Sequence, residues 1–135
     1  MTGTDPTTAT DLVELRRTLH RHPEPAWCEF YTTALIAEAL EARDIDELHV
    51  GPDVLDGDRV GVPDDEELRV WMDRAREAGA REDLVDRMAG GYTGALAVAK
   101  RGEGPTVGLR VDIDALPIEE STATTHRPAA EGEIG

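Results

Sequence analysis

The sequence predicts a mixed α/β fold, and two patterns support this prediction. In several segments before residue 91, apolar residues recur every three or four positions, which is the spacing of amphipathic helices. After residue 91, two short segments alternate along their length with a period of two, which is the spacing of β-strands. With 135 residues, the chain has the length of one small domain or of a piece of a larger one.

The first helix is predicted to follow a flexible N-terminus at residues 1–10. Asp11 can cap this helix with Glu14 three residues later, and Pro23 ends it. The second helix is predicted over residues 30–43. It buries either the row Phe30, Ala34, Ala37 and Leu40 or the adjacent row Tyr31, Leu35 and Ala39.

The middle of the chain, residues 51–91, reads as a helical insertion after a short strand at residues 48–50. Residues 51–61 are rich in turn formers but are not a calcium loop, because Pro52 and Val54 stand where oxygen ligands are needed. Pro63 and the acids that follow it favour a helix start. The predicted apolar stripe of that helix is Leu68, Trp71, Met72, Ala75 and Ala78. A shorter helix through Leu84, Val85 and Met88 ends at Gly90 and Gly91.

The predicted β-hairpin follows these glycines. Residues 92–100 form its first strand, residues 101–104 turn the chain, and a second strand begins at Thr106. The last fifteen residues contain almost no apolar side chain and no closing element.

Asp112 and Asp114 are the candidate functional residues of the second strand. Side chains two apart share a face of a strand, so these carboxylates should lie about 7 Å apart, just before Pro117. Two solvated charges on an acidic protein would have the same spacing. The pattern also occurs in metal-dependent sugar-nucleotide transferases, in phosphotransferases with an Asp nucleophile and in binuclear-metal hydrolases. Gly108 and Arg110 interrupt the apolar run that phosphotransferases need, which disfavours that class. The N-terminal part lacks a glycine loop that could bind a nucleotide, which disfavours the sugar-nucleotide transferases.

The remaining chemistry-bearing residues favour structural roles. His20 and His22 are two apart, so on a helix they do not face each other, and we expect them at the helix end. Cys28 is expected to pack as a small side chain beside Trp27. A single Cys excludes an internal disulfide and fits a reducing compartment.

The composition excludes some partners. The formal net charge is -15, from 29 acidic and 14 basic residues, and Lys100 is the only Lys. Nucleic acids and anionic membranes both require basic surface, so neither is an expected partner. Acid spread along the whole chain resembles proteins of salt-loving microbes, in which concentrated salt screens self-repulsion. Without a basic and apolar leader or an apolar run of about 18 residues, the protein is expected to be cytoplasmic.

Three segments together resemble a known family. They are LRRTLHRHPEPAWCEFYTTALIAEAL, RVGVPDDEELRVWMDRAREAGA and GYTGALAVAKRGEGPTVGLRVDIDALPIEE, with HRP near Arg127 as a further match. They are similar to the metal-dependent amidohydrolase and peptidase family of aminoacylase, hippurate hydrolase and auxin-conjugate hydrolases. The middle segment resembles the helical insertion of the p-aminobenzoyl-glutamate hydrolase A subunits. The similarity covers about residues 12–128.

The resemblance implies an enzyme that hydrolyses N-acyl or N-aroyl amino acids with two divalent metal ions, zinc or manganese. In the family, the metals polarise the amide carbonyl and supply hydroxide, and a glutamate is the general base. The Cys-Gly-His-Asp segment that carries ligands in the family is missing here. Asp112 and Asp114 are then residues that orient metal ligands without binding the metal.

The resemblance therefore implies an N-terminal portion of a zinc-peptidase-like catalytic domain. Residues 11–135 would be a partial catalytic domain without its dimerisation domain, inactive and metal-free by itself, whereas the full-length protein would bind a small N-acyl amino acid and form a homodimer or heterodimer. The alternative is a small acidic interaction module that docks a partner through the hairpin edge or through the helix of residues 68–78.

Overall fold

The computed structural model describes residues 6–116 and residue 118, with side chains from residue 11 onward. The described residues divide into two compact units, one that contains residues 6–23, 115, 116 and 118 and one of residues 24–114. None of the helices in the described part of the chain combines the length and apolar character needed to cross a membrane.

The first unit contains helix α1, Pro6–His20. The predicted start at Asp11 is wrong, and residues 6–10, predicted to be flexible, are helical. The physical reason is Pro6, whose fixed φ and missing N–H suit the first position of a helix. Asp11 consequently lies inside α1 and cannot cap it. His20 is the last residue of α1, as predicted, where a basic side chain complements the helix dipole.

The second unit contains three helices and two strands. In chain order they are α2 (Phe30–Glu41), β1 (Glu47–Val50), α3 (Asp65–Glu77), α4 (Glu82–Arg87) and β2 (Ala95–Val98), and a single 3-10 turn covers Gly51–Asp53. The mixed α/β class predicted from the sequence is confirmed.

Helix α2 provides one wall of the core. Phe30, Ala34 and Ala37 are buried, so the first of the two predicted rows faces inward. They pack in one apolar cluster with residues of β1, α3 and α4, among them Val50, Leu68, Ala75, Leu84, Val85 and Met88. Burial of a large apolar side chain contributes about 1.5–3 kcal/mol, which makes this cluster the main stabilising feature of the unit.

Helix α3 begins two residues after Pro63. Asp64 is its N-cap, and the Asp64 carboxylate accepts a hydrogen bond from the Glu67 amide at 2.9 Å. Of the predicted stripe, Leu68 and Ala75 are buried, and Trp71 and Met72 are partly buried against the core. Ala78 is exposed, and Ala80 packs on the core instead. This face of α3 is thus occupied within the chain, so it does not offer the docking surface of the alternative hypothesis.

The Arg59 side chain connects the loop before α3 to residues 90–92 and to Trp27. The Arg59 guanidinium stacks on the rings of Tyr92, 3.7 Å from the centroid, and Trp27, 5.4 Å from the centroid. It also donates hydrogen bonds to the carbonyls of Gly91 at 2.6 Å and Gly90 at 3.1 Å. The planar fork of Arg suits both contacts at once, which a Lys could not make.

The sheet has a different pairing from the one predicted. Strands β1 and β2 are antiparallel, with Glu47 opposite Val98 and Val50 opposite Ala95. The predicted hairpin between residues 92–100 and the segment after Thr106 is therefore wrong. Two hydrogen bonds of Asp46 extend the pairing beyond the strands. Its amide donates to the Val98 carbonyl at 2.8 Å, and its carboxylate accepts from the Lys100 amide.

Residues 99–116 follow β2 and belong to no helix or strand. Val107 and Leu109, which belong to the predicted second strand, are 86% and 91% exposed. The closing residues 119–135, including HRP near Arg127, lie outside the described residues.

Candidate functional site

Asp112 is exposed and pairs with a neighbouring residue. Its Oδ1 accepts a hydrogen bond from Arg110 Nη2 at 3.3 Å, and the side chains of Arg110 and Asp112 are 92% and 76% exposed. In such exposure the ion pair is screened by water and contributes little to stability. The predicted strand that would place Asp112 and Asp114 on one face is not formed, because residues 99–116 belong to no helix or strand.

Asp114 has a different environment from Asp112. It is exposed, and its negative charge contributes to a raised pKa of Glu29. Burial is the largest cause of that raised pKa, because a carboxylate loses hydration in the interior. The charge of Asp114 therefore acts on a buried acid at the start of α2, whereas Asp112 makes an exposed contact with Arg110.

Glu29 links α2 to the chain before β2. It is the N-cap residue of α2 and is 8% exposed. The Thr93 hydroxyl donates a hydrogen bond to Glu29 Oε2 at 2.5 Å. One residue on, the Gly94 amide donates to Thr33 Oγ1 at 3.0 Å. These two hydrogen bonds fix residues 93 and 94 against the first turn of α2.

Glu24 is a second buried acid at the same helix end. Its Oε2 accepts from the Tyr31 amide at 2.8 Å and its Oε1 from the Thr32 amide at 2.7 Å. A negative charge bound to free amides at a helix N-terminus is stabilising. Burial nevertheless raises the pKa of Glu24, and the hydrogen bonds from Thr32 and Tyr31 oppose this effect.

The sequence patterns do not predict Glu24, Glu29 or Thr93 as residues of the candidate site. The capping signals of a sequence span three residues, whereas Glu24 reaches amides seven and eight positions ahead. A turn makes this possible, because the Cys28 amide donates to the Pro25 carbonyl at 2.9 Å and Trp27 adopts a φ of 67°. The one feature of the sequence that could have indicated this arrangement is the presence of two acids, Glu24 and Glu29, just before the apolar helix α2.

Cys28 lies between these acids and is completely buried. Burial, reinforced by the charges of Glu67, Glu29 and Glu24, raises the pKa of the Cys28 thiol to about 12. The thiol is therefore neutral near pH 7 and unsuited to nucleophilic attack. The prediction that Cys28 packs as a small side chain is confirmed.

The described residues do not fit a transition-metal centre. Within residues 6–116 and 118, no group of three or more His, Cys, Asp and Glu side chains is placed to hold a metal ion. Zinc usually takes at least three protein ligands, and Asp112 and Asp114 would supply two carboxylates at most.

Comparison with known proteins identifies relatives of this chain. No family model matches the chain. Indole-3-acetyl-aspartic acid hydrolase of Enterobacter agglomerans is 42% identical over 123 residues, which are 90% of this chain and 28% of the relative. The p-aminobenzoyl-glutamate hydrolase A subunit of Escherichia coli is 36% identical over 126 residues, which are 92% of this chain and 29% of the relative. The chain is related to these hydrolases.

A solved structure supports the same relationship. The aminobenzoyl-glutamate utilization protein of Klebsiella pneumoniae superposes with a TM-score of 0.63 at 38% identity, over 67% of this chain and 23% of that protein. The resemblance to the p-aminobenzoyl-glutamate hydrolase A subunits, inferred from the sequence, is confirmed. The chain spans less than a third of the length of the hydrolases to which it is related.

Proposed function

We propose that this chain is the N-terminal part of an enzyme that hydrolyses the amide bond of N-acyl or N-aroyl amino acids. The supporting observation is an alignment that covers about nine-tenths of the chain with relatives named as hydrolases of indole-3-acetyl-aspartic acid and p-aminobenzoyl-glutamate. Both names describe an aromatic acyl group on an amino acid with an acidic side chain. We therefore expect p-aminobenzoyl-glutamate and similar aroyl-dicarboxylic amino acids as substrates.

In this proposal, the chain contributes support to the active site. Asp112 and Asp114 would orient residues that bind two divalent ions, zinc or manganese. When bound, such ions polarise an amide carbonyl. Because the described residues do not form a metal centre, the ligands and the general base would lie outside the described part. The proposal further includes a dimeric full-length protein in the cytoplasm.

Glu29 and Glu24 have a scaffolding role in the proposed enzyme. Glu29 holds Thr93 at 2.5 Å, and Glu24 holds the first amides of α2. A site that has to be positioned within fractions of an ångström needs such fixed supports.

The decisive assay uses the complete product of the reading frame that encodes this chain. Release of free amino acid is measured from a panel of aroyl-glutamate, aroyl-aspartate and acetyl-amino acid substrates, with and without added Mn or Zn. Metal-dependent release, strongest for the aroyl substrates, is the expected result. If no substrate on the panel is cleaved under any metal condition, the proposed activity is wrong.

An interaction module is the second candidate, because Val107, Leu109 and Val111 are largely exposed. The DNA downstream of the codon for Gly135 separates the candidates. An open frame with a Cys-Gly-His-Asp segment within a few tens of codons supports the enzyme. A stop codon, together with a well-folded 135-residue monomer, would support the module.

A further inference from the structure

Arg59 is the one half-buried residue of the stretch 56–61, and the other five residues of this stretch are exposed. In the described part of the chain, three hydrogen bonds hold the stretch. Arg59 donates two of them, to the carbonyls of Gly90 and Gly91. The Val60 carbonyl accepts the third, from Trp27 Nε1 at 2.9 Å. The position of residues 56–61 therefore depends mainly on the Arg59 side chain.

The partners of the Arg59 guanidinium group are two aromatic rings and two carbonyls. Both ring centroids, those of Tyr92 and Trp27, lie within the range of cation–π attraction. Nη1 reaches the Gly91 carbonyl while Nη2 reaches the Gly90 carbonyl. All four partners are uncharged, although the chain has 29 acidic residues. This set of partners, called the guanidinium cage below, matches the planar fork of a guanidinium group and not only its positive charge.

The walls of the guanidinium cage are fixed by contacts that do not involve Arg59. The amides of Gly91 and Tyr92 each donate to the carbonyl of Met88 at 3.1 Å, and Met88 is completely buried. A Cβ at Gly91 would lie 3.1 Å from the carbonyl oxygen of Trp27, so these two backbone segments are closely packed. The cage should consequently keep its shape when the Arg59 side chain is removed.

We propose that the guanidinium cage is a binding site for a guanidinium group, and that Arg59, as its resident ligand, holds residues 56–61 closed against the unit. When Arg59 leaves the cage, these residues should open locally while the core stays packed. Without the Arg59 side chain, the cage should bind a guanidinium compound from solution. The inference does not rest on the proposed hydrolase activity, because every contact in it lies within the compact unit of residues 24–114.

Exchange of the Trp27 indole N–H with solvent measures the opening, because this N–H is bonded to the Val60 carbonyl. In Arg59→Ala, NMR should show exchange that is faster by about tenfold or more, since two hydrogen bonds and the ring stacking are lost. Arg59→Lys should behave similarly, because it keeps the charge but lacks the fork. The indole N–H of Trp71, which packs on the core, should exchange at an unchanged rate.

The matched control is Arg69→Ala, which removes an exposed arginine of α3. It should leave the exchange of the Trp27 indole N–H unchanged. All three variants should retain the far-UV circular dichroism of the original chain, because the opening is local. A further measurement needs no change at Arg59. Ring currents should shift the Arg59 side-chain protons upfield in the original chain, and Tyr92→Leu should reduce this shift.

Titration with methylguanidinium tests the binding site directly. In Arg59→Ala, millimolar methylguanidinium chloride should shift the Tyr92 ring resonances and reach saturation. Methylammonium chloride at the same concentration has the same charge and ionic strength but no fork, so its effect should be much smaller. The original chain should respond to neither compound, because Arg59 fills the cage.

The proposal has two parts, and each can be overturned separately. Exchange of the Trp27 indole N–H that is unchanged in Arg59→Ala would mean that Arg59 does not hold residues 56–61 closed. Exchange in Arg59→Lys at the original rate would mean that charge alone is sufficient. The absence of a saturable response to methylguanidinium in Arg59→Ala, or an equal response to methylammonium, would show that the cage is not a guanidinium site.

Discussion

At the scale of single residues, the main feature is the pair of buried acids at the start of α2. Glu24 and Glu29 are 4% and 8% exposed, and each is satisfied by hydrogen bonds, from two backbone amides and from the Thr93 hydroxyl respectively. Burial raises the pKa of both groups from the ordinary value of 4.5. Their ionisation therefore opposes folding, even though their hydrogen bonds support it.

The raised pKa of Glu29 predicts how stability depends on pH. The folded chain holds this proton more tightly than the unfolded chain, so the free energy of unfolding falls as the pH rises from about 4.5 through the folded pKa. Glu29→Gln removes this dependence. We therefore expect the variant to lose less stability than the original chain over that interval, as measured by urea unfolding at a series of pH values.

The control for this experiment is Glu103→Gln, which changes the net charge equally at an exposed position. It should keep the pH dependence of the original chain. If Glu29→Gln and Glu103→Gln gave the same pH profile, the burial of Glu29 would not be the cause.

At the scale of elements, glycine positions test the packing between the 3-10 turn and α4. Gly51 and Gly57 have φ values of 84° and 83°, so an Ala is strained at either position. They differ in their surroundings. A Cβ at Gly51 would lie 2.6 Å from the carbonyl oxygen of Arg87, whereas a Cβ at Gly57 would meet nothing within 4 Å.

Gly57→Ala should therefore cost only the backbone strain, about 1 kcal/mol. Gly51→Ala should cost more by roughly 1–3 kcal/mol, because the Arg87 backbone must move away. Urea unfolding midpoints of the two variants provide the measurement. Equal losses of stability would mean that the turn and α4 are not packed as described.

The elements also indicate which parts of a fold can be read from sequence. Helix α2 and strand β1 are predicted nearly correctly because their apolar periodicity is local. The pairing of β2 with β1 is not predicted, because Val50 and Ala95 are brought together by packing of the whole unit around the core. Likewise, the role of Glu24 depends on a turn with a positive φ at Trp27, for which the sequence carries no local signal.

At the scale of the whole molecule, the net charge of -15 is the feature that makes stability depend on salt. Like charges repel in the folded state more than in the expanded unfolded state, and salt at about 1 M screens them over about 3 Å. We expect the melting temperature to rise as KCl is added, with a similar rise in NaCl at equal ionic strength. A melting temperature that stayed constant would contradict the idea that this protein is adapted to high salt.

The hydrolases to which the chain is related are much longer than the chain itself. Its relatives are more than three times as long as the region that aligns with it, since that region is 28% or 29% of their length. The sequence alone suggests this family through three segments taken together, one of which contains Asp112 and Asp114. It could not predict the hydrogen bond from the Thr93 hydroxyl to Glu29, because these two residues are far apart in the chain.

Under the proposed function, this chain supports a metal site without holding the metal. Calorimetric titration of the 135-residue chain with Zn²⁺ and with Mn²⁺ tests this role most directly. Because carboxylates such as Asp112 and Asp114 provide too few ligands for a transition metal, we expect no site of micromolar or tighter affinity. A stoichiometric micromolar site that is lost in Asp112→Asn or Asp114→Asn would contradict the supporting role and make these residues metal ligands.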